Sequence, residues 1–303
     1  MKLIFLGTSG SVPTPSRSLP AIAVKRGREL LLFDCGEGTQ SQMARVGLSP
    51  LKLDAIFITH LHGDHFLGLA GLVQTMSLMG RERKLEICCP KGEGGRIESY
   101  LQIPHYTITF EVEVSELEAG EELERRNYRI LTSDVNHSVP SIAYALVEDK
   151  RPGRFYPDKA IALGVKAGPD FSRLQAGQTI KLSNGKAVKP EQVMGPSRPG
   201  RKIVYAGDTR PCKHVIELAR DADVLIHDCT LANELLERAI ESGHSTPQEA
   251  AEVAKKAGVK QLVLVHISPR YVDDAVLLKE AQQVFPNVIV ARDMMELEVQ
   301  PRD

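Results

Sequence analysis

The sequence lacks the features of a secreted or membrane-embedded protein. It has five cysteines that form neither a CxxC pair nor a regular disulfide framework: Cys35, Cys88, Cys89, Cys212 and Cys229. This cysteine usage fits a reducing compartment. The first apolar stretch, residues 3–6, is too short for the core of a signal peptide, and no run approaches the length of a membrane span. The sequence therefore predicts a cytoplasmic protein without a membrane association.

A strong net charge is also missing, but the charge is unevenly distributed. The formal net charge is −1, whereas residues 150–202 hold twelve Lys and Arg against three acidic residues, a local balance of +9. This segment is rich in glycine and proline, a composition that packs poorly as core and is typical of an extension. It is either a solvated basic loop or an electrostatic contact for a polyanion, because neutralisation of phosphates by Lys and Arg dominates nucleic-acid affinity.

Short apolar runs separated by turn residues predict an α/β fold. The predicted strands of the first third are residues 3–6, 21–24, 30–33, 55–59 and 85–89, and a helix is expected after His65. The predicted strands of the second half are residues 203–206, 224–226 and 262–265, with helices near 233–241, 247–257 and 273–284. Two comparable halves indicate two sheets covered by helices.

The most informative stretch is residues 59–65, Thr-His-Leu-His-Gly-Asp-His, which directly follows the apolar run 55–58. A strand end is a place where a rigid sheet can hold several side chains at fixed separation. Four of these side chains are able to bind a metal ion: His60, His62, Asp64 and His65. A set of imidazoles and a carboxylate without sulfur suits zinc or another divalent first-row ion.

Three further candidate ligands, His137, Asp208 and His266, also follow apolar runs. Two ions about 3.5–4 Å apart need a bridging ligand, and a carboxylate is chemically suitable. We therefore interpret the set as two ion sites joined by Asp208. The ligands of the first ion would be His60, His62 and His137, and those of the second Asp64, His65 and His266.

A two-ion centre suits displacement at phosphorus, because the ions make hydroxide available near neutral pH and offset charge on the phosphate oxygens. The leaving oxygen then needs a proton, and His244 is the best candidate donor. Residues 246–249, Thr-Pro-Gln-Glu, predict a capping box with proline at the first helical position. His244 would thus lie at a helix N-terminus, where anions are favoured. A carboxylate such as Asp228 is a candidate for orienting it.

Residues 59–65 resemble the signature of the metallo-β-lactamase fold, and the wider set of motifs resembles the ribonuclease Z family, endonucleases that trim tRNA 3′ trailers. The shared motifs lie at residues 5–8, 33–40, 206–209, 244–246 and 266–271, so the match covers essentially the whole chain. The resemblance implies a four-layer αβ/βα sandwich as a single domain over residues 1–303. It also implies two zinc ions per subunit and a homodimer.

By the same resemblance, Asp64 is a candidate general base, His244 is the acid that protonates the leaving oxygen, and Arg270 contacts the acceptor stem. A protruding flexible arm at residues 150–180, inserted within the domain, would grip the tRNA elbow while the other subunit cleaves. The candidate contacts of this basic arm are Lys150, Arg151, Arg154, Gly168 and Pro169. The expected reaction is attack of a metal-bridging hydroxide on precursor tRNA, which leaves a tRNA 3′-hydroxyl and a 5′-phosphorylated trailer. No DNA substrate is expected.

Two motifs depart from the family pattern. The family's His-Glu-Ala-Thr is His-Asp-Cys-Thr at residues 227–230, so the shorter Asp228 would have to support His244. The P-x-K-x-R-N loop, associated with cleavage after the discriminator base and avoidance of CCA ends, is Pro-Thr-Pro-Ser-Arg-Ser at residues 13–18. The cut site relative to CCA therefore stays open. So do two other functions: a small-substrate phosphodiesterase or arylsulfatase-like hydrolase of the same fold, and a non-catalytic RNA-binding protein.

Overall fold

The computed structural model describes residues 1–302 of the chain. The strands are β1 (Lys2–Gly7), β2 (Ala21–Arg26), β3 (Glu29–Phe33), β4 (Leu53–Phe57), β5 (Leu85–Pro90), β6 (Val112–Leu117), β7 (Glu122–Arg125), β8 (Tyr128–Asp134), β9 (Ile142–Glu148), β10 (Ile180–Lys181), β11 (Ala187–Val188), β12 (Lys202–Tyr205), β13 (Val224–Asp228), β14 (Gln261–Val265), β15 (Val288–Val290) and β16 (Glu296–Glu298). The α-helices are α1 (Thr39–Arg45), α2 (Gly63–Phe66), α3 (Leu69–Leu78), α4 (Gly94–Leu101), α5 (Pro157–Ala162), α6 (Pro169–Gln175), α7 (Lys213–Leu218), α8 (Leu236–Ser242), α9 (Pro247–Ala257) and α10 (Ala275–Gln282). Short 3-10 turns lie at Pro50–Lys52, Pro190–Gln192 and Asn233–Leu235.

Two mixed sheets form the framework. The first has the strand order β16-β1-β2-β3-β4-β5-β6, and the strands from β3 to β6 are parallel. The second has the order β15-β14-β13-β12-β9-β8-β7, and the strands from β12 to β15 are parallel. Since the carboxyl ends of parallel strands meet at one edge of a sheet, polar residues that follow β3, β4, β12, β13 and β14 converge.

Three apolar clusters define four layers. One lies between the two sheets and includes Phe5, Phe57 and Tyr144. A second joins the outer face of the first sheet to α1, α3 and α4, and a third joins the outer face of the second sheet to α7, α9 and α10. This is the metallo-β-lactamase type of layered α/β fold, and the predicted fold class is confirmed.

Local sequence signals account for helix α9, which begins three residues after His244. Helix α9 begins with a capping box in which Thr246 Oγ1 accepts from Glu249 N at 3.4 Å and Glu249 Oε2 accepts from Thr246 N at 3.0 Å. Pro247 occupies the first helical position, and Gly258 ends the helix with a φ of 66°. The capping box and the position of Pro247 were predicted. The helix expected after His65 is two pieces, and the first of them, α2, already begins at Gly63 within the histidine stretch.

The chain divides into two compact units: residues 1–147 with 202–300, and residues 148–201 with the last residues of the chain. The second unit contains the segment predicted as an arm. It has α5, α6, the β10–β11 hairpin and an apolar cluster of its own, with Ala160, Val165 and Leu174 as buried members. The expectation that this composition packs poorly was wrong, because its few apolar residues are spaced so that two short helices and a hairpin share them.

Within residues 1–302, no helix combines the length and the apolar character that crossing a membrane requires.

Candidate metal centre

Strand ends position the candidate ligands. His60, His62, Asp64 and His65 follow β4, whereas Asp208 follows β12 and His266 follows β14. His137 lies in the connection between β8 and β9. The seven side chains come from segments up to 206 residues apart and meet at one edge of the two sheets.

The first predicted group is assembled around the imidazole nitrogens of His60, His62 and His137. His62 Nδ1 lies 3.1 Å from His60 Nε2 and 3.2 Å from His137 Nε2. Asp208 Oδ2 is 3.7 Å from His60 Nε2. The candidate ligand atoms of these four residues lie within 4.8 Å of one another, a spacing that a single ion can span.

The second predicted group lies beside the first. Asp64 Oδ2 is 3.2 Å from His266 Nε2 and 3.6 Å from His65 Nε2. Asp208 Oδ2 also lies 3.3 Å from His65 Nε2 and 3.2 Å from His266 Nε2. The structure therefore brings all seven predicted ligands together and places Asp208 within reach of both groups.

A third combination, Asp208 with His244 and His266, is also compact enough to hold an ion. His244 Nδ1 lies 3.0 Å from Asp228 Oδ2 but 3.8 Å from Asp208 Oδ2. Because this nitrogen donates its proton to Asp228, it has no lone pair for a metal ion. This hydrogen bond takes Nδ1 of His244 out of coordination and leaves Nε2 as the ring nitrogen that can hold a proton or face an ion.

The donor atoms of the cluster fit a bound cation. His65 Nε2 is fully buried, and residues 1–302 offer it no aligned hydrogen-bond partner. His62 Nδ1 faces the Nε2 atoms of His60 and His137 within 3.2 Å, an arrangement that suits a shared cation. Burial lowers the pKa of His60 well below its ordinary value and also lowers the pKa of His137. Both rings are then neutral, which is the form that binds zinc.

A fully buried carboxylate, Asp34, supports the first-sheet histidines. It accepts from His65 Nδ1 at 2.8 Å and from Thr59 Oγ1 at 3.0 Å. Since the Thr59 hydroxyl donates to Asp34, its oxygen accepts from His60 Nδ1, also at 3.0 Å. The Tyr205 hydroxyl donates to Asp34 from the second sheet at 2.7 Å. Partners of this kind fix the orientation of metal-binding imidazoles.

Asp228 performs the equivalent task on the second sheet. It accepts from His244 Nδ1 at 3.0 Å and from the Thr230 hydroxyl at 2.6 Å, and Thr230 Oγ1 in turn accepts from His266 Nδ1 at 2.7 Å. The backbone N–H of Ser245 donates to the same carboxylate at 3.1 Å. The shorter side chain of this motif therefore reaches His244.

Charge in this network favours a protonated His244. Burial lowers the pKa of His244, but the charge of Asp228 and the hydrogen bond to it outweigh burial and raise the pKa to about 9. In turn, burial raises the pKa of Asp228, and the charge and hydrogen bond of His244 outweigh it and lower the pKa. The pair is an imidazolium held by a carboxylate.

Sequence reasoning missed three supporting residues, Asp34, Thr59 and Thr230. Asp34 had a signal like the one that singled out Asp208, because both are acidic residues that follow an apolar strand. Asp34 also has a φ of 57°, a left-handed conformation that Asp adopts more readily than most residues. The two threonines are one residue before His60 and two residues after Asp228, so both lay inside motifs already recognised.

The candidate substrate contacts are distributed over both units. In the first unit Arg270 is exposed, with its Nε donating to Ser268 Oγ at 3.1 Å. In the second unit Lys150 and Arg154 are exposed, whereas Arg151 is half-buried and donates to the carbonyl of Arg302.

The weaker candidates lie as follows. Gly168 has a φ of 139° and Pro169 begins α6. Within the shared motifs at residues 33–40 and 266–271, Glu37 is exposed, and the hydroxyl of Tyr271 accepts the N–H of Ala232 at 2.8 Å. The Tyr271 ring packs against the core of the second sheet, which is a structural position.

Two family models each match part of the chain. A model described as "Anti-Pycsar protein Apyc1" matches residues 1–147, and one described as "Beta-lactamase superfamily domain" matches residues 178–267. Ribonuclease Z of Methanosarcina acetivorans is 51% identical over 300 residues, covering 99% of this chain and 98% of that protein. Ribonuclease Z of Methanothermobacter thermautotrophicus is 47% identical over 303 residues, covering 100% and 98%.

Solved structures match over the full length as well. Human tRNase Z, short form (ELAC1), superposes with a TM-score of 0.72 at 29% identity, covering 99% of this chain and 100% of that one. The metallo-β-lactamase fold protein YhfI from Bacillus subtilis gives a TM-score of 0.71 at 20% identity over 98% of both chains, which shows the shared fold.

The layered sheets and the histidine cluster at their common edge define a protein of the metallo-β-lactamase superfamily. The identity to its relatives over the whole length is more specific: the chain belongs to the ribonuclease Z family.

Proposed function

We propose that the chain is a zinc-dependent endonuclease that removes 3′ trailers from tRNA precursors. The observation that carries the proposal is the shared position of Asp208 between two ligand groups, with His244 beside them, in a chain of this family. A cut at a phosphodiester requires a nucleophile, stabilisation of phosphate charge and a proton for the leaving oxygen. The residues at this edge of the sheets are of the types that supply all three.

Two ions fit the seven ligands without using any residue twice except Asp208. His60, His62 and His137 would hold one ion, and Asp64, His65 and His266 the other. When bound, such ions supply Lewis-acid activation of water and offset negative charge on the phosphate. Asp64 is the candidate general base by the resemblance to the family. Its side chain is 11% exposed. Burial raises its pKa, but the hydrogen bond of His266 and the charges of His65 and His266 outweigh burial and lower the pKa, which keeps the carboxylate ionised.

His244 is the proposed acid for the leaving 3′ oxygen. Asp228 holds Nδ1, so the proton that is available to substrate is on Nε2. The side chain is 12% exposed, which leaves one edge of the ring open to a ligand while the rest is desolvated. The same chemistry produces a tRNA 3′-hydroxyl and a 5′-phosphorylated trailer.

The second unit is the proposed tRNA contact. The +9 balance of residues 150–202 contrasts with the acidic remainder of the chain, and phosphates are its natural counter-charge. Lys150 and Arg154 are exposed there and available for this role. We further expect a cytoplasmic homodimer, in which the unit of one subunit holds the tRNA that the other cleaves.

The decisive experiment incubates the purified protein with a precursor tRNA that carries a 3′ extension, with and without an encoded CCA. We expect one metal-dependent cut near the discriminator base, with a 3′-hydroxyl on the tRNA fragment. His65→Ala serves as the control that lacks a ligand. An absence of cutting by metal-loaded protein would contradict the proposal, and a higher kcat/KM for a small phosphodiester would favour the small-substrate alternative.

The electrostatic part has its own test. Replacing Lys150 and Arg154 with Gln should weaken tRNA binding and reduce the slope of log Kd against log salt by about one unit per residue. Binding measured by filter retention at four salt concentrations gives the slope. An unchanged slope would assign these charges to solvation.

A further inference from the structure

The loop between β1 and β2 contacts the candidate metal centre through its backbone. The N–H of Ser11 donates to Asp64 Oδ2 at 2.8 Å, and Ser11 has a φ of 61°. The neighbouring Gly10 lies so close to His266 that a Cβ there would be 2.6 Å from the ring Nδ1. This loop therefore touches two ligands of the second group, and its position determines where the Ser11 N–H points.

A buried arginine anchors the same loop. Arg17 is 8% exposed, and its guanidinium donates to Thr8 Oγ1, to the carbonyl of Ala291 and to Asp274 Oδ2, each at 2.6 Å. Asp274 is also 8% exposed. The arginine thus ties the beginning of the loop to two segments that follow β14 and β15.

Backbone and carboxylate contacts transmit this anchoring to Ser11. Ser9 N donates to Ser18 O at 2.9 Å, and Gly10 N donates to Ile267 O at 3.0 Å. Asp293 accepts from Ser18 N at 2.6 Å and from Thr8 Oγ1 at 2.8 Å. The two ends of the loop are therefore joined by the hydrogen bond between Ser9 and Ser18, and Arg17 holds the first end through Thr8.

The surroundings of Arg17 do not suit a phosphate. A cavity of about 310 Å³ adjoins it, lined by Ser16, Arg17, Val272, Asp273, Asp274, Arg292 and Asp293. Three carboxylates face two guanidinium groups in this lining, so the cavity is not electropositive. The donors of Arg17 are already directed at protein acceptors, which assigns the residue to the interior of the loop.

We propose that Arg17 is a positioning residue for the metal centre: it holds the Ser11 N–H against Asp64 and so fixes the carboxylate of the second ion group. The inference rests on the two-ion assignment made above. Under this inference Arg17 does not recognise tRNA 3′ ends, because the hydrogen bonds of its guanidinium described above all go to acceptors within the protein. Loss of Arg17 should loosen the second ion and leave the first ion in place.

The test compares Arg17→Met with Arg292→Met. Arg292 contacts the same carboxylate, with Nη2 3.3 Å from Asp274 Oδ1, but its side chain is 75% exposed. Zinc per chain is measured by mass spectrometry after dialysis against graded zinc buffers, alongside tRNA binding and the melting temperature. We expect Arg17→Met to weaken one of two ions by about 10–100-fold, the range for partners of metal ligands. Arg292→Met should retain both ions, and Arg17→Lys should restore part of the affinity.

Three results would overturn the inference. One is an Arg17→Met protein with both ions at wild-type affinity. Another is parallel loss of both ions, tRNA binding and thermal stability, which would mean a general structural role. The third is full metal content with an altered ratio of cleavage between CCA-bearing and CCA-less precursors, which would assign Arg17 to the substrate. Selective metal loss in a protein that never cuts precursor tRNA would uphold the inference and reject the proposed function.

Discussion

Asp34 on the first sheet and Asp228 on the second occupy equivalent positions in the centre, yet they hold different kinds of histidine. Each is fully buried, accepts directly from one imidazole and holds a second imidazole through a threonine hydroxyl. Both histidines of Asp34, His60 and His65, face the ion groups. Asp228 holds one histidine of that kind, His266, and one that keeps its proton, His244.

The same arrangement of a buried carboxylate and a threonine therefore serves two purposes: it orients candidate metal ligands, and it keeps His244 protonated. On the first sheet burial lowers the pKa of His65, but the charges of Asp208 and Asp34 outweigh it and raise the pKa well above its ordinary value. Both rings held by Asp34 nevertheless face the ion groups, where a bound ion would take the place of a proton on His65 Nε2. On the second sheet the direct hydrogen bond from His244 to Asp228 stabilises His244 as an imidazolium. Asp228 orients His266 indirectly, through the hydroxyl of Thr230. A substitution at Asp34 should therefore cost metal, whereas one at His244 should cost rate.

The largest expected effect is that of Asp34→Ala. It removes the acceptor for His65 and the anchor of Thr59, so each ion group loses an oriented ligand. We expect metal affinity to fall by more than the 10–100-fold typical of a single outer contact, and cleavage to reach background. Zinc titration followed by mass spectrometry measures the first quantity. Circular dichroism of Asp34→Asn, which keeps the shape, serves as the folding control. If Asp34→Ala retained both ions, Asp34 would not be needed for metal binding and the contrast with Asp228 would be wrong.

The next effect is that of His244→Ala, which should retain both ions and tRNA binding. Cleavage should slow by about 10²–10⁴-fold, because a general acid contributes to the chemical step and not to affinity. Single-turnover rates at saturating enzyme isolate that step, and filter binding reports the affinity. A loss of zinc in this variant would place His244 among the ligands and favour the third ion combination.

Thr59→Val and Thr230→Val form a matched pair with a smaller effect. Each removes the hydroxyl that links a carboxylate to a ligand, His60 in one case and His266 in the other. We expect about 10-fold weaker binding of a different ion in each variant, at the low end of the range for such contacts. Chelator competition with each protein gives the two affinities. If both variants weaken the same ion, the division of ligands between the sites is incorrect.

Tyr205→Phe should have the smallest effect. It removes one donor to Asp34, at 2.7 Å, while His65 and Thr59 remain. A hydrogen bond of this kind contributes about 1.5–3 kcal/mol when the acceptor is charged. We expect a lower melting temperature with unchanged zinc content, measured by calorimetry on the loaded protein. Loss of an ion would show that Asp34 depends on the second sheet for its position.

The residues of this centre that lie in a local sequence motif were predictable from the sequence. Those whose role depends on partners distant in sequence were not. His60, His62, Asp64 and His65 are adjacent in sequence, and Asp208 and His266 each follow an apolar strand, so the ligands were identified. Asp34 follows a strand too, but its task is visible only once β3 is known to lie beside β4. Arg17 shows no sequence signal of burial, because its partner Asp274 is 257 residues away.

The position of Asp208 and His266 has a consequence for when the protein acquires metal. A growing chain displays His60, His62 and His65 early, but His266 follows His65 by 201 residues. At about 5–20 residues per second, the ribosome adds that stretch in about 10–40 s. During most of this interval the early histidines lack the shared carboxylate of Asp208, and throughout it they lack the last imidazole. We therefore expect both ion groups to be complete only in the finished chain, so that the supply of the divalent ion would act after synthesis, not during it.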